Sequence, residues 1–289
     1  MYVGRYAPSP TGDLHLGNAL AAVCAWARAR RAGGRLLLRM EDLDRARVVV
    51  GAAENIVQDL RALGVTWDGD VLVQSHGPAR YADALDRLRA RGLVYACRCS
   101  RKDLARAASA PHEGDEGPPY PGTCRVLGLD LDDPAHAWRF LVPPGTVRID
   151  DALQGTFAHD VLREVGDFVV KRKDGVIAYQ LAVVVDDIHQ GVTEVVRGRD
   201  LLSSAPRQAL LFRALKQEPP AFAHTPLWVD AHGRRLSKRS GGDDTVRALL
   251  ARGVDVVGLI ARALGVDAKD LVALADQLED RVLARATVV

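Results

Sequence analysis

At 289 residues, 48% hydrophobic and 26% charged, the chain has an ordinary globular composition, enough for one large domain or two modest ones, with no internal repeat and no long low-complexity tract. A formal net charge of +2 permits a nucleic-acid partner without arguing for one, although Arg28, Arg30, Arg31, Arg35, Arg39, Arg45 and Arg47 crowd the first fifty positions. No basic leader precedes an apolar run and no stretch approaches the ~20 apolar residues of a membrane helix, so a cytoplasmic protein with no membrane partner and with reduced cysteines is expected.

Tyr2–Tyr6 reads as a short strand, and Ala7–Leu14, with two prolines and a glycine, as an irregular loop. From His15 the spacing of Leu16, Leu20, Val23 and Ala27 predicts an amphipathic helix, ended by Gly33-Gly34. Leu36–Met40 follows as a buried strand. Strand, tight loop, helix and strand make the βαβ unit of a parallel sheet. Helices fit Ala52–Leu63 and Ala79–Arg91. Cys97–Cys124 breaks the rhythm, and its part Ser109–Tyr120, rich in Pro, Gly and acids, reads as an excursion with little core. Val147–Gly155 and Asp167–Val195 are rich in β-branched residues and read as strands, with Lys173-Asp174-Gly175 as a turn. Leu201–Leu215 is helical, Leu227–Val229 a short strand, and His232–Gly242 a basic loop. Helical segments Val256–Leu264 and Lys269–Leu283 close the chain. The fold class expected is α/β: a Rossmann-like parallel-sheet domain (1–96 and 193–242), an inserted α+β subdomain (97–192) and short C-terminal helices (243–289).

Two segments carry phosphate chemistry. In Arg5-Tyr-Ala-Pro-Ser-Pro-Thr-Gly-Asp-Leu-His15-Leu-Gly17-Asn18 a glycine-bearing loop feeds a helix N-terminus, where free N–H groups and the helix dipole favour an anion. Gly17 permits close approach of a nucleotide, and His15 can donate to a phosphoryl oxygen. In Arg235-Leu-Ser-Lys238-Arg239, flanked by Gly233 and Gly241-Gly242, a lysine on a glycine-hinged loop can swing onto a polyphosphate. Either alone would pass for a plain strand–helix connection or a solvated basic loop. Together they indicate ATP activating a carboxylate.

On these residues the chain resembles the class I aminoacyl-tRNA synthetases: Ala7–Asn18 is similar to their "HIGH" region and Arg235–Arg239 to their "KMSKS" loop. Leu38-Arg-Met-Glu41-Asp42, Tyr179-Gln-Leu-Ala-Val-Val-Val-Asp186-Asp187 and Val196-Arg197-Gly-Arg-Asp200-Leu resemble the glutamyl branch, and the resemblance spans about the first 240 residues. Glutamate fits on chemical grounds, since it needs cations for two carboxylates and an anion for its ammonium group. Arg5 and Arg197 can supply the cations, Glu41 the anion, and Tyr179 a hydrogen-bond donor. Which arginine faces which carboxylate is left open. The resemblance implies that Arg5, Tyr6, Ala7, Pro8, Ser9, Glu41, Tyr179 and Arg197 line the amino-acid pocket. It also implies that His15, Gly17, Asn18 and Lys238 contact ATP, which brings Mg²⁺, with His15 and Lys238 as the catalytic pair.

Cys97-Arg-Cys99 followed by Tyr120-Pro-Gly-Thr-Cys124 supplies three thiolates, which with a fourth donor fit a tetrahedral zinc site stapling a poorly cored segment. His112, Asp115 or water are chemical alternatives for the fourth donor. Cys-x-Cys followed by Tyr-x-x-x-Cys resembles the zinc pattern of one synthetase-like subfamily, which implies Tyr120. Cys24 is expected in the core. Some fifty residues follow Arg239, fewer than a typical domain of about 100–150, where glutamyl-tRNA synthetases carry an anticodon-reading domain. Shortness and the Cys/Cys/Tyr/Cys pattern together resemble the truncated family that joins glutamate to the queuosine base at the wobble position of tRNA(Asp). That likeness implies ATP, L-glutamate and queuosine-bearing tRNA(Asp) as partners of a monomer. The competing readings are a truncated or discriminating synthetase charging a tRNA 3′ end, and a catalytically silent tRNA- or protein-binding paralogue.

Overall fold

Short apolar runs between breakers build the central sheet of the computed structural model, which describes residues 1–100, 102–103, 119–229, 245–284 and 287–288. Val3–Tyr6 (β1) and Arg35–Met40 (β2) pair in parallel, Val3 beside Arg35 and Tyr6 beside Leu38, joined through Leu16–Arg31 (α1). Gly34 has a packing reason: a Cβ there would lie 2.5 Å from the carbonyl oxygen of Tyr2. Ala52–Ala62 (α2) and Pro78–Ala90 (α3) follow as expected, and between them lies a short strand not expected from the sequence, Leu72–Val73 (β3), paired with β2.

Val94–Cys97 (β4) leaves this layer and pairs antiparallel with Ala137–Phe140 (β5), which pairs with Val169–Lys171 (β8). Between them Val147–Asp151 (β6) and Gly155–His159 (β7) form a hairpin that extends the central sheet, followed by the short helix Val161–Glu164 (α4). The strand reading of Asp167–Val195 holds only at its two ends. The turn at Lys173-Asp174-Gly175 is present, with Arg172 N–H donating to the Val176 carbonyl at 2.8 Å. Tyr179–Gln190, however, is a helix (α5), capped by left-handed Gly191. Its β-branched residues Val183, Val184 and Val185 are buried in a common cluster with residues of α3 and of Ser204–Ala214 (α6). Burial on several sides stabilises this run as a helix against its strand propensity.

Glu194–Gly198 (β9) and Ala221–Thr225 (β10) complete the sheet, ordered β3-β2-β1-β9-β10-β6-β7 and parallel except for the β6–β7 hairpin. Leu227–Trp228 (β11) pairs with Thr287–Val288 (β12). At the C-terminal end Val246–Ala251 (α7), Val256–Leu264 (α8), Leu271–Gln277 (α9) and Asp280–Leu283 (α10) appear, so the single helix expected over Lys269–Leu283 breaks at Leu278-Glu279. Several of these residues share one core with α1. That cover explains why α1 is buried beyond the one face its periodicity marked, with Ala21, Ala22, Cys24, Ala25 and Ala29 enclosed as well. Among the described residues no helix is long and apolar enough to cross a membrane.

Candidate active site and cysteine cluster

Between β1 and β9 the chain order reverses, since β1 continues to β2 on one side while β9 arrives on the other. In open parallel sheets the crevice beyond the strand ends at such a switch point is where ligands bind. Both phosphate-loop residues and acid–base groups collect at this edge.

The loop after β1 is pinned by its own backbone: the Glu41 N–H donates to the Pro8 carbonyl and the Val49 N–H to that of Pro10. Tyr6 is buried and donates its hydroxyl to the Asn18 carbonyl at 3.2 Å. His15 takes the N-cap position of α1 without a capping bond from its side chain, and the first turn carries no acid. Gly17 has no positive φ, and among the described residues a Cβ there would meet only Trp228 Cβ at 4.0 Å. Nothing within the described protein requires glycine at this place, and the open space above it suits a ligand resting on the helix N-terminus. Thr245 pairs with His15 and the Val246 N–H donates to the Leu14 carbonyl, so the chain resumes beside this N-terminus. Arg235–Arg239, with Lys238, lies outside the described residues, as do His112 and Asp115.

The charged pocket draws on strands β1, β2, β6, β9 and β10 and on helices α3, α5 and α6. Arg5 donates from Nε to Asp187 Oδ1 at 3.2 Å and from a terminal nitrogen to the Val196 carbonyl at 3.1 Å. Arg39, fully enclosed on β2, donates to the same Asp187 oxygen at 2.7 Å and to Glu41 Oε1 at 3.1 Å. Burial opposes ionising Asp187, yet Arg39 and then Arg5 outweigh it and hold the carboxyl below its ordinary range. Burial raises Glu41 instead, and the same two arginines offset this only in part. Neighbouring Asp186 takes Gln74 Nε2 at 2.6 Å, Arg80 Nε at 2.5 Å and the Tyr81 hydroxyl at 2.9 Å.

Arg197 differs from these arginines. It is only 5% exposed, and its hydrogen bonds run to neutral groups: Nε to His224 Nε2 at 3.0 Å, and the terminal nitrogens to Gln208 Oε1 at 2.7 Å and the Leu201 carbonyl at 3.2 Å. Burial lowers its pKa, with the charge of Arg5 acting the same way. Tyr179 lies within electrostatic reach, its phenol raised by loss of water and held back by Arg197. Ser9, Glu41, Gln74, Tyr179 and Ala182 line a cavity of about 210 Å³. Arg5 shifts the ionisation of both Glu41 and Tyr179, and Arg197 that of Tyr179. Sequence reasoning missed Arg39, Asp187, Gln208, His224 and Asp151 as parts of this arrangement. The signal available was charge inside apolar runs: Arg39 between Leu38 and Met40, and Asp186-Asp187 after three valines.

At the end of β4, Cys97 meets Cys99 and Cys124 with all three sulfurs within 4.8 Å of one another, all as free thiols. Cys99 Sγ and Cys124 Sγ are 3.5 Å apart, and the Tyr120 oxygen lies 3.5 Å from Cys97 Sγ and 4.0 Å from Cys99 Sγ. A tetrahedral zinc with bonds of about 2.3 Å to sulfur and about 2.1 Å to oxygen has edges of roughly 3.8 Å between sulfurs and 3.6 Å from sulfur to oxygen. These donors therefore fit such an ion with little movement, Tyr120 included. Tyr120 is placed by Gly166, whose φ is +74° and where a Cβ would stand 2.2 Å from the Tyr120 carbonyl oxygen. Arg139 stacks its guanidinium 3.6 Å from the Tyr120 ring centroid, donates from Nε to Cys97 Sγ at 3.2 Å, and holds the Asp167 carbonyl. Burial disfavours the Cys97 thiolate, but hydrogen bonds from Tyr120 and Arg139 lower its pKa to about 7.

A helix N-terminus beside a charged pocket at the switch point of a parallel sheet suits a class I synthetase catalytic domain, and residues 2–254 match the family described as tRNA synthetases class I (E and Q), catalytic domain. The glutamyl-Q tRNA(Asp) synthetase of Geobacter sulfurreducens is 53% identical over 237 residues, covering 82% of this chain and 75% of the relative. That of Thiobacillus denitrificans is 50% identical over 262 residues, covering 91% and 84%. The chain belongs to the glutamyl-Q tRNA(Asp) synthetase family. Among solved structures, glutamate-tRNA synthetase from Elizabethkingia anophelis superposes with a TM-score of 0.71 at 26% identity, covering 82% of this chain; the chain spans about half of that structure, 52% of its length.

Proposed function

We propose that the protein activates L-glutamate with ATP to glutamyl-adenylate and transfers the glutamyl group to the queuosine base at the wobble position of tRNA(Asp), in the cytoplasm and as a monomer. The observation carrying this reading is Arg197, an enclosed cation whose hydrogen-bond acceptors are all neutral, next to a glutamate side chain and an arginine already matched by Asp187. A buried charge without an opposite charge in contact is costly unless a ligand completes it. A substrate carboxylate at Arg197 and an ammonium group at Glu41 would do so, with Tyr179 and Ser9 at the cavity wall.

In the first step the α-carboxylate of glutamate attacks the α-phosphorus of ATP, which enters as its Mg²⁺ complex, and pyrophosphate leaves. The α1 N-terminus and His15 stabilise the charge that develops on the phosphoryl oxygens, Gly17 and Asn18 lie where the nucleotide rests, and Lys238 joins them by its place in Arg235–Arg239. In the second step a hydroxyl of the queuosine cyclopentene ring attacks the mixed anhydride and AMP leaves. Cys97, Cys99, Cys124 and Tyr120 would hold one Zn²⁺, which supplies a structural cross-link.

Glutamate-dependent exchange of pyrophosphate into ATP tests the first step, and folded protein without exchange would sink it. Labelled glutamate offered with queuosine-containing and queuosine-free tRNA(Asp) tests the second. Label is expected on the former alone; label on tRNA(Glu), or equally on both forms of tRNA(Asp), would replace this acceptor with a tRNA 3′ end.

A further inference from the structure

Arg197 and His224 are register partners on the neighbouring parallel strands β9 and β10. Behind His224, at the end of β6, stands Asp151, and both side chains are wholly enclosed. Asp151 Oδ2 lies 2.5 Å from His224 Nδ1, while Arg197 Nε lies 3.0 Å from His224 Nε2. An arginine has five donors and no acceptor, so its bond to Nε2 requires a bare lone pair there. A neutral imidazole with its proton on Nδ1, donated to Asp151, satisfies all three groups. The other Asp151 oxygen accepts the backbone N–H groups of Leu153, Gln154 and His224 at 2.9–3.2 Å, which locks the carboxylate in this orientation.

We propose that the Asp151–His224 pair is a positioning device for the substrate-binding arginine, in which Asp151 selects the Nδ1–H tautomer and His224 holds Arg197 by a lone pair without neutralising its charge. A carboxylate in the place of His224 would aim the guanidinium equally well but would cancel the cation that substrate needs. Imidazole supplies the acceptor and leaves the positive charge free for a ligand. Gln208, itself held by Gln180 at 3.0 Å, acts alike on the adjacent nitrogen, again without charge. This inference rests on Arg197 binding a carboxylate of the substrate, and the variants below separate the two claims.

The experiment measures KM for glutamate and for ATP by pyrophosphate exchange in the full-length protein, with Asp151→Asn, His224→Phe, His224→Gln and Arg197→Met. Asp151→Asn retains an oxygen for the three backbone N–H groups but offers an N–H to Nδ1, which moves the ring proton to Nε2 against Arg197. His224→Phe keeps a ring and removes the lone pair. Both are expected to raise the glutamate KM roughly 10–100-fold, the range for losing a hydrogen bond to a charged group, with ATP KM changed less than about twofold. His224→Gln sets an amide oxygen where Nε2 stood and should recover most of the loss. Imidazole ¹⁵N shifts should report Nδ1–H in the parent and Nε2–H in Asp151→Asn, a change that a merely structural role would not link to glutamate affinity. If Arg197→Met impairs glutamate binding while His224→Phe and Asp151→Asn do not, the positioning role is wrong and the pocket assignment stands. If Arg197→Met leaves glutamate KM unchanged, both fall.

Discussion

The charged pocket behind β1 and β9 and the cysteine cluster at the end of β4 are both polar constellations in buried surroundings, yet different things hold them. The pocket lies between two large apolar cores, and nearly every charge in it is answered by the chain: Arg39 by Asp187 and Glu41, Arg5 by Asp187, Asp186 by Arg80. Among the described residues the cluster rests on a core of Cys97, Tyr120 and Cys124, with Tyr95, Cys99 and Leu129 against it. Its thiols differ, since burial and the adjacent thiols push Cys99 up to about 11 while hydrogen bonds from Tyr120 and Arg139 lower Cys97. A site that the fold has completed can be preorganised for a substrate. A set of free thiols brought within 4.8 Å of one another would gain most of its cohesion from an ion bound among them. The exception inside the pocket is Arg197 with its neutral partners, which a carboxylate of the proposed substrate would complete.

The comparison breaks most directly at Arg197. Replacing it by Met should lower glutamate kcat/KM roughly 10²–10³-fold, the range for removing one partner of a buried charge pair, while metal content stays that of the parent. A comparable loss of zinc would show that the two regions are not independent. Next comes Cys99→Ser, or treatment of the parent with a chelator. Metal analysis should fall from about one zinc per chain to a small fraction, and hydrogen exchange should quicken in β4 and β5 but not in β1 or β9. Unchanged metal content would remove the zinc assignment. Smaller again are Tyr120→Phe, which removes the proposed fourth donor, and Arg139→Met, which removes a partner of Cys97, each expected to weaken zinc by roughly 10–100-fold or, for Tyr120, somewhat more in competition with a chromophoric chelator. Tyr120→Phe without effect would give the fourth position to another donor. Arg139→Met without effect would mean that its contacts to Cys97 and Tyr120 only fill space.

Local signals carried the first third of the fold well. Breakers bracket β1, α1 and β2, and the loop between β1 and α1 needs only its own prolines and glycine to be recognised. Of Arg5, Glu41, Tyr179 and Arg197, marked in the sequence as one pocket, Glu41 and Tyr179 line one cavity, and Arg5 and Arg197 act on Tyr179 through their charge. What escaped depends on sheet order. Arg5 and Asp187 are 182 positions apart and come together only because β9 inserts beside β1 and α5 packs behind it. His224 was invisible for the same reason, since its part follows from standing opposite Arg197 on β10. The strand reading of Val183–Val185 failed because three β-branched residues carry the same local signal whether a sheet or a helix encloses them. At the cluster, Tyr120 could be named from pattern, but Arg139 could not, because nothing near it in sequence announces a thiol.

The gentlest way to sharpen the comparison is acid. Burial first, and then Arg197, holds His224 below its ordinary pKa near 6.5, against the pull of Asp151. Below that ordinary value the unfolded chain binds a proton at this ring that the folded chain does not, so stability is lost as pH falls from about 6.5 toward the folded value. The slope is at most about 1.4 kcal/mol per pH unit for one proton. Asp151 is held below its own range, chiefly by His224 against burial, so its contribution is lost only in stronger acid, as pH falls through its folded value. The groups facing the ring are Asp151 from β6, Arg197 from β9 and the Leu201 carbonyl, which Arg197 also holds. Between pH 7 and 5 the parent should therefore lose more stability than His224→Gln, read from denaturant midpoints with chelator in both samples so that proton uptake by the thiols cancels. Equal losses would mean that the imidazole accepts a proton in place, and that Arg197 tolerates a second cation beside it even though no acid among the described residues shares its hydrogen bonds.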